Sequence, residues 1–110
     1  MKHLLVAGAL VLLAACGSKT GGSPGAIDVR VTDAGCDPAT IETEAGKVTF
    51  NVRNTGTKTA EFEILQGTTV VDERENLTPG LSASMTVDLK AGTYETLCHD
   101  DAPKGRITVK

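Results

Sequence analysis

The feature that most constrains this sequence is a period-two alternation of apolar and polar residues, which recurs between turn signals. In the first run, Ile27, Val29 and Val31 alternate with polar neighbours, and five further runs follow, the last containing Ile107 and Val109. Such alternation predicts strands with one buried and one solvated face, and no stretch shows a convincing helical period. About seven short strands at regular spacing predict an all-β, antiparallel Greek-key sandwich.

The N-terminal segment has the pattern of an export signal. Lys2 and His3 precede an apolar run, residues 4–15, which is shorter than the roughly 20 residues of a membrane-spanning helix. The run ends in "LAAC", which matches the bacterial lipobox. We therefore predict that residues 1–15 are removed as a lipoprotein signal peptide and that Cys16 is acylated. The alternative is an ordinary signal peptide followed by a coincidental cysteine.

The rest of the chain divides into a tether and one domain. Residues 16–26 comprise the acylated cysteine and "GSKTGGSPGA", a composition typical of a flexible tether, and residues 27–110 suffice for one small core. The lipid is the expected contact with the membrane, which places the domain outside the cytoplasm, on the cell membrane or the periplasmic face of an outer membrane. With 11 Lys and Arg against 14 Asp and Glu and no basic stripe, we expect no nucleic-acid partner.

Several segments of the sequence resemble a known family. "GCDPATIETEAGKVTFNVRNTG", "GTYETLC" and "KGRITVK" resemble cupredoxins, and "AEFEILQGTTVVDERENLTPG" resembles the cupredoxin domain of the EfeO-type iron-uptake family. The resemblance implies a cupredoxin-like sandwich, a metal held by Cys36, Glu61 and Cys98, and an iron permease or a peroxidase-type uptake component as partner. Two features depart from that family: its usual helical metallopeptidase-like domain is not matched here, and "CHDD" stands where Cys followed by Gly is expected.

The count of metal-binding side chains argues against a blue-copper centre. Such a centre needs two His and one Cys, usually with an axial Met. His3 would leave with the signal peptide, so His99 alone remains, and Met85 lies in an alternating strand as a core residue. Carboxylates with one imidazole suit iron, or copper in a site that is not blue. His99 and Asp101 therefore join the predicted ligands because they follow Cys98 in its loop.

Three of these assignments have alternatives that the sequence leaves open. Cys36 and Cys98 form an even pair in an exported protein, so a disulfide and two thiolate ligands are both plausible. Alternation places Glu61 opposite the buried Phe62, so it needs a bulge or a strand end to meet Cys98, and otherwise faces solvent. The "DEREN" run, residues 72–76, is more often a solvated loop than a ligand set.

These patterns predict a membrane-anchored, extracytoplasmic metal-binding protein that handles iron, or copper, beside an uptake system. One alternative is a redox-active cupredoxin that transfers electrons or oxidises a metal, and another is a metal-free interaction domain held by a disulfide. We expect no enzymatic activity, because no Ser pairs with a usable base, no Gly-rich loop suits a phosphate, and the mature chain retains one His.

Overall fold

Nine strands and no helix make up residues 25–110, the part of the chain that the computed structural model describes. The predicted signal peptide, Cys16 and nearly all of the tether lie outside these residues. The strands are β1 (Ile27–Thr32), β2 (Gly35–Asp37), β3 (Thr40–Thr43), β4 (Gly46–Asn54), β5 (Ala60–Gln66), β6 (Thr69–Leu77), β7 (Ser82–Leu89), β8 (Gly92–Leu97) and β9 (Gly105–Val109). None of the described residues forms a helix long and apolar enough to span a membrane.

The strands form two sheets that pack face to face. One sheet has the order β2-β1-β4-β7, and the other has the order β3-β9-β8-β5-β6. The predicted all-β sandwich is confirmed, with nine strands rather than about seven. Most neighbours pair antiparallel, but β1 pairs parallel with β4 and β3 pairs parallel with β9. The strands of each parallel pair are distant in the sequence, so the local alternation of apolar and polar residues could not predict that they pair parallel.

The core lies between the sheets and is built from the inward positions of the alternating runs. Phe50 on β4 and Phe62 on β5 are fully buried, and their ring centroids lie 5.7 Å apart with the planes tilted by 49°. Met85, opposite Phe50 on β7, is also buried, as its place in the alternation predicts. The period-two pattern therefore identified the face of each strand that packs inward.

Strand β6 is the main departure from the sequence reading. The "DEREN" run lies within this strand, whereas the sequence favoured a solvated loop. The strand forms the edge of the five-stranded sheet and is largely exposed until Leu77, so it lacks the buried face that produces apolar alternation. Charged residues on an edge strand also discourage pairing with other chains.

One end of the sandwich, which we call the cysteine pole, gathers the end of β4, the start of β5 and the ends of β6 and β8. Asn54, fully buried at the end of β4, helps to fix it. Its Nδ2 donates to the carbonyl oxygens of Lys58 (2.8 Å) and Leu77 (2.7 Å), and its Oδ1 accepts from the Gly56 N–H (2.8 Å). These bonds join the β4–β5 loop to the end of β6.

Candidate metal site

The two cysteines of the domain are joined by a disulfide at the cysteine pole. Cys36 lies on β2 of the four-stranded sheet, Cys98 directly follows β8 of the other sheet, and their Cα atoms are 5.5 Å apart. Cys98 is fully buried and Cys36 is half-buried. Of the two alternatives for these cysteines, the structure contains the disulfide and not two thiolates. A disulfide sulfur is not an anionic metal ligand.

Glu61 lies at this pole because it is the second residue of β5. The pairing of β5 with β6 shifts register between Ala60 and Phe62, where Glu75 and Asn76 of β6 lie opposite the single residue Glu61, so the extra residue of this β-bulge belongs to β6. The Glu61 backbone N–H donates to the Cys98 carbonyl oxygen at 3.2 Å. Glu61 keeps the alternation of β5, on the face opposite the buried Phe62, and its position near the strand end is what brings it beside Cys98.

His99 begins the turn that follows Cys98. The Ala102 N–H donates to the His99 carbonyl oxygen at 3.2 Å, which closes a tight turn across residues 99–102. The His99 side chain is only 7% exposed, and its Nε2 has no hydrogen-bond partner among the described residues. Buried polar atoms in proteins are nearly always hydrogen-bonded, so this ring nitrogen is an exception.

The turn separates the two aspartates that follow His99. Asp101, predicted as a ligand, is exposed, and its Oδ2 lies 3.9 Å from Lys58 Nζ in a surface ion pair. Asp100, which the sequence reading did not select, lines a cavity that His99 and Glu61 also line. Successive residues of a turn point in different directions, and this geometry replaces Asp101 with Asp100 at the candidate site.

The cavity at the cysteine pole has a volume of about 280 Å³ and is open to solvent. Its walls are formed by residues from the start of β5, the end of β6 and the loop after β8: Thr59, Ala60, Glu61, Glu75, Asn76, Cys98, His99 and Asp100. Glu75 and Asn76 were missed as site residues because they belong to the "DEREN" run. Three carboxylates and one imidazole therefore surround a space large enough for a hydrated ion.

A row of three carboxylates, Glu61, Glu63 and Glu73, extends from this cavity along the exposed face of β5 and β6. Glu61 and Glu63 are two positions apart on β5, and Glu63 directly faces Glu73 across the strand pair. Partial burial raises the pKa of Glu61, and the nearby Asp100 carboxylate raises it further. Partial burial also raises the pKa of Glu63, with the Glu61 charge as the next cause. We call these three residues the carboxylate row.

No described cation forms an ion pair with this row. The three ion pairs within residues 25–110 join Arg30 to Asp37, Lys58 to Asp101 and Lys110 to Glu42. Arg74 is the closest candidate in the sequence, but its guanidinium donates to the carbonyl oxygens of Glu73 (3.3 Å) and Ser84 (3.4 Å). The negative charge of the row is therefore uncompensated by protein cations in the described part of the chain.

The donor atoms do not form a preassembled coordination sphere. Within residues 25–110, no group of three or more His, Cys, Asp or Glu side chains converges on one point as metal ligands do. Asp100 and Glu75 are exposed and Glu61 is half-buried, whereas His99 is buried.

A family model described as "Cupredoxin-like domain" matches residues 4–109. The chain belongs to the cupredoxin-like family. It is 46% identical over 85 residues to "Iron uptake system component EfeO" of Escherichia coli (strain K12), an alignment that covers 76% of this chain and 23% of that protein. The predicted similarity to EfeO-type cupredoxin domains is thus confirmed, and the alignment spans about a quarter of the length of the curated relatives.

Solved cupredoxin structures share the fold at low sequence identity. The dithionite-reduced auracyanin of Roseiflexus castenholzii matches with a TM-score of 0.69 and 20% identity, over 81% of this chain and 99% of that one. Auracyanin A of Chloroflexus aurantiacus, described as a "blue" copper protein, matches with a TM-score of 0.65 and 15% identity, over 78% and 100% of the two chains. At this identity the comparisons establish the fold alone.

The cupredoxin fold raises the question of a type 1 copper centre, and the side chains present do not fit one. That centre requires two imidazoles and a cysteine thiolate. The only His within the described residues is His99, the Cys98 sulfur is bonded to Cys36, and Met85 is buried in the core opposite Phe50. Residues 25–110 therefore have the fold without the ligand set of a blue-copper protein.

Proposed function

We propose that this protein is a lipid-anchored, extracytoplasmic module that binds iron as its cargo beside an iron-uptake system. Its relatives at 46% identity carry the name of an iron-uptake component. The chain shares only the cupredoxin-like quarter of those proteins, so we assign to it a metal-binding step and not transport itself.

The observation that carries this proposal is the uncompensated carboxylate row. Like charges directly opposite each other on paired strands destabilise a sheet. Here Glu63 faces Glu73, Glu61 lies beside them, and the pKa values of Glu61 and Glu63 are raised by partial burial and by neighbouring carboxylates. A multivalent cation bound between these side chains would remove the repulsion. Their arrangement is therefore better suited to holding a cation than to stabilising the empty protein.

The chemistry of the donors favours iron over a redox copper ion. Carboxylate oxygens with at most one imidazole are a donor set of non-haem iron proteins, whereas copper electron-transfer sites depend on a thiolate. In the disulfide form, both sulfurs are unavailable as thiolates. The electron-transfer alternative thus lacks its thiolate, whereas the iron-binding alternative loses its two predicted sulfur ligands but keeps its carboxylates.

The predicted partners follow from this role. An extracytoplasmic carrier that exposes its carboxylates at one end of a small domain can present iron to another component of the uptake system. An iron permease or a peroxidase-type component is the partner class that the family resemblance implies. The exposed position of Glu73, Glu75 and Asp100 leaves the bound ion accessible to such a partner.

Anaerobic titration of the purified full-length protein with Fe²⁺, followed by calorimetry, tests the proposal. The double variant Glu63→Gln/Glu73→Gln should bind at least about tenfold more weakly than the wild type, since it loses oxygen ligands and negative charge. The matched control, Glu44→Gln/Asp88→Asn, removes two exposed carboxylates at the opposite end of the sandwich and should bind as the wild type does. Equal affinity of both variants, or no iron bound by the wild type, would refute the proposal.

A further inference from the structure

Charged side chains divide the outer face of the five-stranded sheet, the face that points away from the core, into two halves. The carboxylate row of β5 and β6 lies on one side of the central strand β8. Lys104 and Arg106, which we call the basic pair, lie on the other side, just before β9 and within it. Both are exposed, and neither takes part in any of the three ion pairs of residues 25–110. Each half therefore carries charged groups that have no ion-pair partner in the described part of the chain.

The strand register places the two kinds of charge at the same height on the face. Glu63 pairs with Glu73 on β6 and with Leu97 on β8. The β8–β9 register, extended by one residue beyond its last pair, puts Lys104 level with Leu97. Within one chain, two strand spacings, about 10 Å, separate Lys104 from Glu63. The opposite charges are thus aligned across the face but kept apart by the strand between them.

The next level of the register carries apolar surface on the same face. Val70 on β6 is 46% exposed, and it pairs with Leu65 on β5. Leu65 pairs in turn with Glu95 on β8, and Glu95 pairs with Arg106 on β9. A solvent-open depression of about 440 Å³ lies here between β3 and β5, and its lining includes Leu65, Glu95 and the basic pair. The negative half therefore has an exposed apolar side chain, and the positive half has a depression at the same height.

We propose that this face binds the same face of a second copy of the chain, related to the first by a two-fold axis parallel to β8. Such a rotation exchanges the two halves of the face and preserves each level of the register. Lys104 of each copy then meets Glu63 and Glu73 of the other, and Val70 of each copy meets the depression of the other. The proposal goes beyond the proposed function and does not depend on iron binding.

Charge complementarity selects a second copy as the occupant. The two halves of one face match each other in sign of charge and in height, which is what a self-complementary interface requires. Glu95, on β8, would lie near the axis and close to Glu95 of the other copy. Because Arg106 is its direct neighbour in the β8–β9 register, each of these carboxylates has a guanidinium beside it. The central strand therefore does not oppose the pairing of the two faces.

The size of the face predicts a weak dimer that depends on salt. Five strands about 4.8 Å apart and roughly 20 Å long cover about 500 Å² per copy, or about 1,000 Å² in the dimer. Stable interfaces bury about 1,200 to 2,000 Å². Exposed ion pairs contribute little each and are screened by salt, so association should be reversible and should weaken as ionic strength rises.

A charge-swap experiment tests the proposal by sedimentation equilibrium of the full chain in density-matched detergent, with a chelator present and at low salt. The wild type should dimerise as its concentration rises. Lys104→Glu alone and Glu63→Lys/Glu73→Lys alone should each associate at least about tenfold more weakly, because each brings like charges together. An equimolar mixture of these two variants should form a dimer again, since every contact between them is then between opposite charges.

The matched control is Lys47→Glu, which reverses an exposed lysine on β4 of the other sheet and should dimerise as the wild type does. A wild type that stays monomeric at every concentration would overturn the proposal and assign the face to solvent or to a different protein. A mixture of the two swapped variants that stays monomeric would overturn it as well.

A measurement on the wild type covers the case in which a variant fails to fold. A zero-length carbodiimide cross-linker, applied to a mixture of unlabelled and ¹⁵N-labelled chains, should join Lys104 to Glu63 or Glu73. Mass spectrometry would show these links between chains of different isotopic composition. Their absence at a concentration where the wild type sediments as a dimer would overturn the proposed interface.

The dimer and the iron site fail in different ways. If the wild type dimerises through Lys104 but binds no Fe²⁺, the dimer stands and the iron-carrier role falls. If Fe²⁺ binding depends on Glu63 and Glu73 while the wild type remains monomeric, the dimer falls and the proposed function stands. If both proposals hold, Fe²⁺ should shift the wild type towards the monomer, because it occupies the carboxylates that Lys104 of the second copy contacts.

Discussion

Glu63 shows at the scale of one residue how the proposed metal site conflicts with stability. It lies on β5 directly opposite Glu73, and its carboxyl pKa is raised above the ordinary 4.5 by partial burial and then by the Glu61 charge. When one carboxyl of such a pair is protonated, it can donate a hydrogen bond to the other. The ionised pair has no such contact, so the metal-free protein carries a local electrostatic penalty at neutral pH.

The sign of the resulting pH dependence follows from proton linkage. Because the folded pKa of Glu63 is raised, the folded state holds this proton to higher pH than the unfolded chain does. Stability therefore falls as the pH rises through the window between 4.5 and the folded pKa, and stays lower above it.

We predict that Glu63→Gln stabilises the metal-free protein at neutral pH by about 0.2 to 1 kcal/mol, the range for like charges on facing strand positions. Urea unfolding in the presence of a chelator would measure the difference at pH 7 and again below pH 4.5, where the gain should vanish. Glu44→Gln, an exposed carboxylate outside the row, serves as the control and should have no such effect. A destabilised Glu63→Gln variant at neutral pH would contradict the electrostatic argument.

The residue scale also shows what sequence reasoning could and could not locate. His99 and Glu61 were predicted as ligands, and the structure brings both to one cavity. Asp101 and Asp100 are adjacent in the sequence, and only the turn closed by Ala102 decides which of them faces the cavity. The sequence offered two routes for Glu61 to meet Cys98, a bulge or a strand end, and the structure has the strand end, because the extra residue of the nearby bulge lies on β6.

At the scale of elements, the predicted strands were those with a buried face. The runs at β1, β4, β5, β7, β8 and β9 alternate because one side of each packs into the core. Strands β2 and β3 have three and four residues, too few for a period to emerge. Edge strand β6 is mostly exposed, so its acidic residues looked like a loop, and Glu75 was lost from the predicted site as a result.

The disulfide links two elements of the fold, an edge strand of one sheet and the loop that carries His99. Its cysteines are separated by 62 residues in the sequence. We predict that Cys36→Ser/Cys98→Ser lowers the free energy of unfolding by about 4 kcal/mol, from the chain-entropy estimate for a loop of this length. Chemical denaturation of the variant, beside the wild type in oxidised and reduced forms, would measure the loss.

The same variant separates a structural role of the cysteines from a ligand role. If the disulfide is structural, the folded variant should retain metal binding through the carboxylates, with affinity close to that of the oxidised wild type. Unchanged stability together with loss of metal binding would instead identify the sulfurs as ligands. Reduced wild-type protein should behave like the serine variant in stability.

At the scale of the whole molecule, the direction of β1 relates the cavity to the membrane. β1 runs parallel to β4, whose end at Asn54 lies at the cysteine pole, so the chain enters β1 from the side away from that pole. The proposed lipid on Cys16 would thus attach the domain at the end away from its candidate metal site. The cavity would then face away from the point of attachment.

The anchor itself is the last prediction, and it concerns residues that precede the described domain. If Cys16 is the acylated residue, Cys16→Ala should leave the protein either unprocessed or processed and released into the soluble fraction, because the processed variant would lack the acyl chains that attach it to the membrane. Fractionation of cells after a carbonate wash, with mass spectrometry of the mature N-terminus, measures both outcomes. Ser18→Ala, a neighbouring change that keeps the cysteine, should leave attachment intact. A processed Cys16→Ala protein that still fractionates with membranes would show that something other than this lipid holds the domain there.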